Sequence, residues 1–265
     1  MISPKKSLGQ HFLQDENVVR KIVGSLALHR EDVVVEVGPG RGELTKHLVE
    51  CSDHVVGVEV DPRAVALLQD TLAGRLLLVE KDVLKVRFEE FSRRYGRKLR
   101  VVGNIPYYIT SEILFHLFEQ RDEVLDATLM MQLEVARRLT AKPRSKEYGI
   151  LSVFTQFYAK PELLFRVSRN SFYPRPNVDS AVVSLNFGEP LPATNISLFK
   201  NIVRGTFGKR RKTLRNGLKA MGLQNDALKQ LEFDLTKRPE ELSVDDFLSL
   251  SSSVEPFSKD LTDKF

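Results

Sequence analysis

Asn104, Ile105, Pro106 and Tyr107 are the residues of this 265-residue chain best suited to chemistry, because they follow the strand-like run 99–103 and can hold one planar amino group. An exocyclic amine on a nucleobase is a poor nucleophile while its lone pair is delocalised into the ring. Two acceptors that pull on its hydrogens leave the pair directed at an electrophile. Asn104 and the Ile105 carbonyl, next to Pro106, can be those acceptors: proline fixes its own φ, biases the residue before it toward extended backbone and carries no N–H. Tyr107 then offers a flat face on which a base can stack. By themselves the four residues read equally well as a strand that ends in an Asn-x-Pro turn.

Such a site needs a scaffold, and the region upstream supplies one. Residues 33–37 are apolar and rich in β-branched side chains, which predicts a buried strand. They run into Gly38-Pro39-Gly40-Arg41-Gly42 and a helical stretch over 43–51, so the glycines fall where a chain turns sharply and its backbone can approach a ligand. A second strand over 54–60 carries Glu59, 21 residues after Gly38, the usual position for a carboxylate that takes ribose hydroxyls. A third strand over 76–81 leads to Asp82, which can accept from an adenine amino group or act as a helix N-cap. In the dinucleotide pattern the sixth position is a glycine beside a pyrophosphate, and here it is Glu43. A pocket bounded by Glu36, Glu43, Glu59 and Asp82 suits a ligand with a positive centre and no phosphate. S-adenosylmethionine fits that description, and NAD is the lesser reading.

These segments, taken in order, resemble a known family. Gln10-His11-Phe12-Leu13, the Glu36–Gly42 loop, Glu59, Asp82-Val83, Asn104–Tyr107 and the stretch from Phe172 through Pro174, Pro176 and Asp179 to Ala181 occur as they do in KsgA-type ribosomal RNA adenine N6-dimethyltransferases, over nearly the whole chain. Relatives of that family are the Erm enzymes, which modify large-subunit RNA, and mitochondrial transcription factors. The resemblance implies cofactor contacts at His11, Leu13, Gly38, Gly40, Glu59, Asp82, Val83 and Asn104, with Tyr107 and Phe172 flanking the target adenine. It also implies a seven-stranded class I methyltransferase sheet whose last strand is antiparallel. His11 stands where the family often has Asn, and Ile105 where it often has Leu. The first difference leaves open whether a side chain or the backbone meets the cofactor, and a loop histidine with no ligand is the other reading.

Composition narrows the field further. At 42% hydrophobic the chain can bury a sizeable core, which excludes disordered and fibrous classes. A formal charge of +5 and a pI near 9.2 suit a polyanionic partner, though such an excess is also common in proteins that bind no nucleic acid. Residues 1–6 are polar and basic with no apolar stretch behind them, and no run approaches spanning length, so a cytoplasmic protein with no membrane association is expected. The single cysteine, Cys51, permits no intrachain disulfide, and Cys51 with His54 lacks a second pair of metal ligands. No metal is expected.

The alternation continues with a helix over 111–118, a strand over 127–132, helices over 133–139 and 151–158 on either side of a polar loop at 142–146, and strands near 163–167 and 181–187. Strands separated by helices imply an α/β, doubly wound, mostly parallel Rossmann-like sheet with ligands at the carboxyl ends of its strands. Residues 188–193 read as a linker. Helical spacing over 196–207, 214–221, 227–233 and 244–250 then predicts a small C-terminal helical domain with a frayed end after Ser251. The expected domains are a methyltransferase domain over 1–188 and an RNA-binding domain over 194–265. The second carries the densest basic cluster, Lys209, Arg210, Arg211 and Lys212 with Arg204 and Arg215 nearby. Contiguous cations repel one another and phosphate contacts relieve this; the other reading is a solvated helix start. Lys5, Lys6, Arg137, Arg138, Lys142, Arg144 and Lys146 are further basic candidates. Phe172, before a paired-proline loop, reads as core packing by itself and as the second face of an aromatic sandwich beside Asn104 and Tyr107.

The reading is therefore a two-domain enzyme that transfers methyl groups from S-adenosylmethionine to adenine N6 in RNA. Asn104, Ile105, Pro106, Tyr107 and Phe172 do the chemistry. The resemblance implies dimethylation of two adjacent adenines near the 3′ end of small-subunit ribosomal RNA, on an immature particle and by a monomer. The rival readings are an Erm-type enzyme and a non-enzymatic nucleic-acid-binding relative.

Overall fold

The computed structural model describes residues 2–5, 8–209 and 211–261. Lys6 and Arg210, two of the basic candidates, lie outside them. The described residues within Met1–Ala136 and Tyr158–Glu189 form one compact unit, and those within Arg137–Phe157 and Pro190–Phe265 form a second.

The first unit is built from β1 (Phe12–Leu13), α1 (Glu16–Leu26), β2 (Val33–Val37), α2 (Thr45–Cys51), β3 (His54–Glu59), α3 (Pro62–Thr71), β4 (Leu77–Glu80), α4 (Glu89–Tyr95), β5 (Leu99–Asn104), α5 (Thr110–Glu119) and β6 (Val124–Gln132). The chain then runs through α6 (Leu133–Leu139) and α7 (Ile150–Tyr158) to β7 (Lys160–Val167), β8 (Phe172–Tyr173) and β9 (Ser180–Asn186). Seven strands form one sheet in the order β4-β3-β2-β5-β6-β9-β7. The first five are parallel, and β9 is antiparallel to both β6 and β7. This is the expected mostly parallel sheet with an antiparallel final strand. All five residues of β2 are buried, as a parallel strand covered on both faces requires.

The order matters for function. From β2 the chain steps outward to β3 and β4, then returns to lay β5 on the other side of β2. Right-handed crossovers in opposite directions place the helices on opposite faces, and the crevice between β2 and β5 is the topological switch point. Gly103 lets those two strands meet. A Cβ added there would lie 2.6 Å from the Val37 carbonyl oxygen.

Three helices of this unit, α1, α3 and α4, and the short strands β1 and β8 were not expected. Asp15 caps α1 by accepting from the N–H groups of Asn17 and Val18, and the helix buries Val19, Ile22, Val23 and Leu26 at three- and four-residue spacing. β1 and β8 form a separate antiparallel ladder that pairs Phe12 with Tyr173 and Leu13 with Phe172. Leu13 and Phe172 share a core cluster with Val19, Ile22, Val34 and Val182.

The second unit contains α8 (Ile196–Phe207), α9 (Leu214–Ala220), α10 (Asn225–Gln230) and α11 (Val244–Val254). Residues 137–157, placed above with the first domain, pack here: Phe157 stacks on Phe199 at 4.4 Å, and the Tyr148 hydroxyl donates to the Leu242 carbonyl at 2.7 Å. Two glycines bring α8 against the α9 segment. A Cβ at Gly217 would lie 3.2 Å from the Thr206 Cα, and one at Gly205 would lie 2.3 Å from the Met221 sulfur. The expectation of fraying after Ser251 is corrected as far as Asp260, and residues 262–265 lie outside the described residues. Val254 is fully buried and extends the inward stripe of Phe247, Leu250 and Ser251, so α11 continues to Val254 and a 3₁₀ turn follows over Glu255–Asp260.

Candidate active site

The carboxyl ends of β2, β3, β4 and β5 open on a cavity of about 310 Å³, within the range of small-molecule sites. Its floor is the loop after β2. Gly38, Gly40 and Gly42 have φ of +67°, +59° and +86°, a region in which any other residue is strained. Gly42 donates its N–H to Pro39 at 2.9 Å, closing the turn, and a Cβ at Gly40 would come within 3.1 Å of the Phe12 ring. Bare backbone thus forms the wall a ligand would meet.

Four carboxyl groups line this cavity, Glu36, Glu43, Glu59 and Asp82, against one lysine, Lys81. Glu59 is 5% exposed and braces the loop. One oxygen accepts from Gly40 N and the other from Val60 N and Asp61 N, each at 2.9 Å. A carboxylate has about four lone-pair positions, so it can hold the loop and still accept from a ligand hydroxyl. Asp82 fills its capping reading, accepting from Leu84 N at 3.0 Å at the start of the 3₁₀ turn Val83–Lys85, and it also lines the cavity. Glu36 is 2% exposed with its Oε2 unpaired among the described residues, and burial pushes its carboxyl up to about 8. Burial also raises Glu43. Even with Glu36 holding its proton, three carboxyl groups face one lysine, and with the glycine cradle this fits a ligand that carries a sulfonium, an ammonium and a ribose. It does not fit a pyrophosphate.

The tetrapeptide after β5 closes the other side. Asn104 Nδ2 donates to the His11 carbonyl at 2.9 Å, which assigns the amide orientation and leaves Oδ1 as the acceptor for a ligand. The carbonyls of Pro106 and Tyr107 are occupied by the turn, since Thr110 Oγ1 donates to both and Ile109 N to the first. Ile105 lines the cavity and is tied in through its N–H, donated to Met130 O at 3.1 Å. Tyr107 shares a 2.6 Å hydrogen bond with Ser180, and burial pushes its phenol up, so it stays neutral.

His11 and Leu13 both line the cavity. The His11 ring stacks on Tyr107 at 5.7 Å, and its Nδ1 donates to the Pro174 carbonyl at 2.6 Å. One nitrogen of the ring is thereby engaged by the protein, while the His11 carbonyl accepts from Asn104. Phe172 is not at the cavity. It is 4% exposed, in the core beneath the β1–β8 ladder, so the core-packing reading holds and a stacking role does not. Sequence reasoning missed Tyr108, Val60, Leu8 and Gly9 in the lining. Tyr108 adjoins a noted motif, but nothing in the sequence told which neighbouring tyrosine points outward.

In the second unit Lys209, Arg211 and Lys212 lie in the turn that leads from α8 to the N-cap Thr213 of α9, and they are exposed together with Arg204 on α8 and Arg215 on α9. Close packing at Gly205 and Gly217 fixes where that turn is presented.

The chain matches the family model for ribosomal RNA adenine dimethylase over residues 1–255. Among curated proteins it is 45% identical over 260 residues to ribosomal RNA small subunit methyltransferase A of Chlorobium phaeobacteroides strain BS1, covering 96% of this chain and 95% of the relative. The protein of the same name from Bacillus cereus is 41% identical, covering 94% and 91%. Among solved structures it resembles a dimethyladenosine transferase from Plasmodium falciparum, with a TM-score of 0.79 and 27% identity over 94% of this chain and 98% of that one. It also resembles the 23S rRNA methyltransferase ErmE, with a TM-score of 0.69 and 26% identity over 92% and 99%.

Proposed function

The chain belongs to the ribosomal RNA adenine dimethylase family, and from that premise we propose how its cavity carries out the reaction. The protein is a methyltransferase that dimethylates adenine in ribosomal RNA. Its curated relatives bear the small-subunit name, so the large-subunit alternative is the less supported one.

S-adenosylmethionine, when bound, supplies an electrophilic methyl group. Gly38 and Gly40 would cradle it, Glu59 and Asp82 would accept from its ribose and adenine, and Leu13 and Val83 would give it apolar contact. Asn104 Oδ1 and the Ile105 carbonyl would each accept one hydrogen of the adenine N6 amine, which would fix the amine and free its lone pair to act as a nucleophile. Tyr107 supports the base by stacking. Most of the acceleration then comes from positioning and preorganised dipoles. No strong base is needed, because the proton leaves readily once nitrogen is cationic.

The target is read as two adjacent adenines near the 3′ end of small-subunit RNA, met on an immature particle in the cytoplasm by a single chain. Arg204, Lys209, Arg210, Arg211, Lys212 and Arg215 would hold its phosphates. The observation that carries the reading is the Asn104 amide, whose nitrogen donates to His11 O and whose oxygen is left to accept at the cavity. Asn104→Ala should leave the fold intact and lower single-turnover methyl transfer by at least about 100-fold, the scale for loss of one preorganised polar group. A folded variant with a near-parental rate contradicts the role.

A further inference from the structure

Tyr108 takes no part in the steps above, yet it is placed as if for a ligand. It lines the cavity and is 57% exposed, so it stands at the rim. Its ring rests on Gly9, where φ is +56° and an added Cβ would lie 3.0 Å from the Tyr108 Cδ1 and 3.2 Å from Cε1. A residue other than glycine would push the ring away. An aromatic side chain held against bare backbone, with the rest of its surface in water, leaves a large apolar area uncovered at the entrance to a nucleobase site.

A base drawn out of its strand into the cavity leaves its neighbour without a stacking partner. Unstacking is part of the cost of base flipping, and an aromatic ring offered at that point offsets it. We propose that Tyr108 receives the nucleobase next to the target adenine, so that the rim holds one base while the cavity holds the other. The inference rests on the RNA reading given above. Because the residue touches substrate and not cofactor, it positions the strand and leaves the methyl donor alone.

The chain contains no tryptophan, so Tyr108→Trp introduces a sole reporter. Titration with purified small-subunit ribosomal RNA should quench its fluorescence, and S-adenosylmethionine alone should not. Tyr108→Ala should raise KM for immature small subunits by roughly 5- to 150-fold, the equivalent of one lost base stack, with cofactor affinity unchanged. Tyr108→Phe should keep the parental KM. Absence of quenching while filter binding shows the RNA bound, quenching by the cofactor alone, or a parental KM in Tyr108→Ala each overturns the proposal. If the parent protein transfers no methyl to immature small subunits, the RNA reading itself fails, which is a different result from a silent ring in an active enzyme.

Discussion

Two carboxyl groups of the cavity do different work, and substitution separates them. Glu59 holds Gly40, Val60 and Asp61 through their N–H groups, so Glu59→Ala should weaken S-adenosylmethionine binding by roughly 1.5–3 kcal/mol, the cost of a lost charge-assisted acceptor, and should also loosen the glycine turn. Calorimetry with unchanged affinity contradicts the assignment. Glu36 is a matter of proton linkage. Its carboxyl is raised from an ordinary value of 4.5 to about 8 by burial, so between those limits the folded protein holds a proton that the unfolded chain has lost. The stability this gives is complete below pH 4.5 and is lost as pH rises through 8, with a slope approaching about 1.4 kcal/mol per unit. Glu36→Gln, which stays neutral, should remove that decline. Denaturant melts of parent and variant across this range should diverge with rising pH, and parallel curves would show that Glu36 ionises freely.

At the scale of elements, the strands that carry the site were legible in the sequence because parallel strands are apolar runs ending at turn chemistry. Val33–Val37 leading into Gly38, and Leu99–Asn104 leading into Pro106, are such cases. The helix α1 was legible too, from Asp15 and the spacing of Val19, Ile22 and Leu26, but it carried no chemistry to draw attention. The β1–β8 ladder was not legible. Two-residue strands have no periodicity, and their pairing joins residues 12 and 173 across most of the chain. That pairing buries Phe172 and brings the Pro174 carbonyl to the His11 ring, so the role of Phe172 was misjudged where local pattern was silent. Gly103 tests whether strand contact sets the cavity. A methyl 2.6 Å from the Val37 oxygen forces β2 and β5 apart, so Gly103→Ala should destabilise the fold by about 1–3 kcal/mol and weaken cofactor binding with it. A Tm within a degree of the parent would show that the strands yield.

Across the whole molecule the charge is divided unevenly. The segments 137–157 and 190–265 hold 18 Lys and Arg against 11 Asp and Glu, and the rest of the chain holds 22 against 24. The basic excess therefore belongs to the helical unit, while the acids of the cavity belong to the other, which suits phosphates in one place and a cationic cofactor in the second. Each phosphate contact releases counterions, so replacing Lys209, Arg211 and Lys212 with Gln should flatten the slope of log K against log salt by roughly one unit per contact, with cofactor affinity unmoved. A parental slope would place the RNA on other surfaces. The central claim is that the carbonyl acceptors at Asn104 and Ile105 present an adenine N6 of small-subunit RNA for two methyl transfers. Its most direct test is to incubate the purified protein with S-adenosylmethionine and either immature small subunits or protein-free large-subunit RNA, then map methylated nucleosides by mass spectrometry. N6,N6-dimethyladenosine at two adjacent positions near the 3′ end of the small-subunit RNA is the predicted result, and methylation confined to the large-subunit RNA, or none in either, would contradict it.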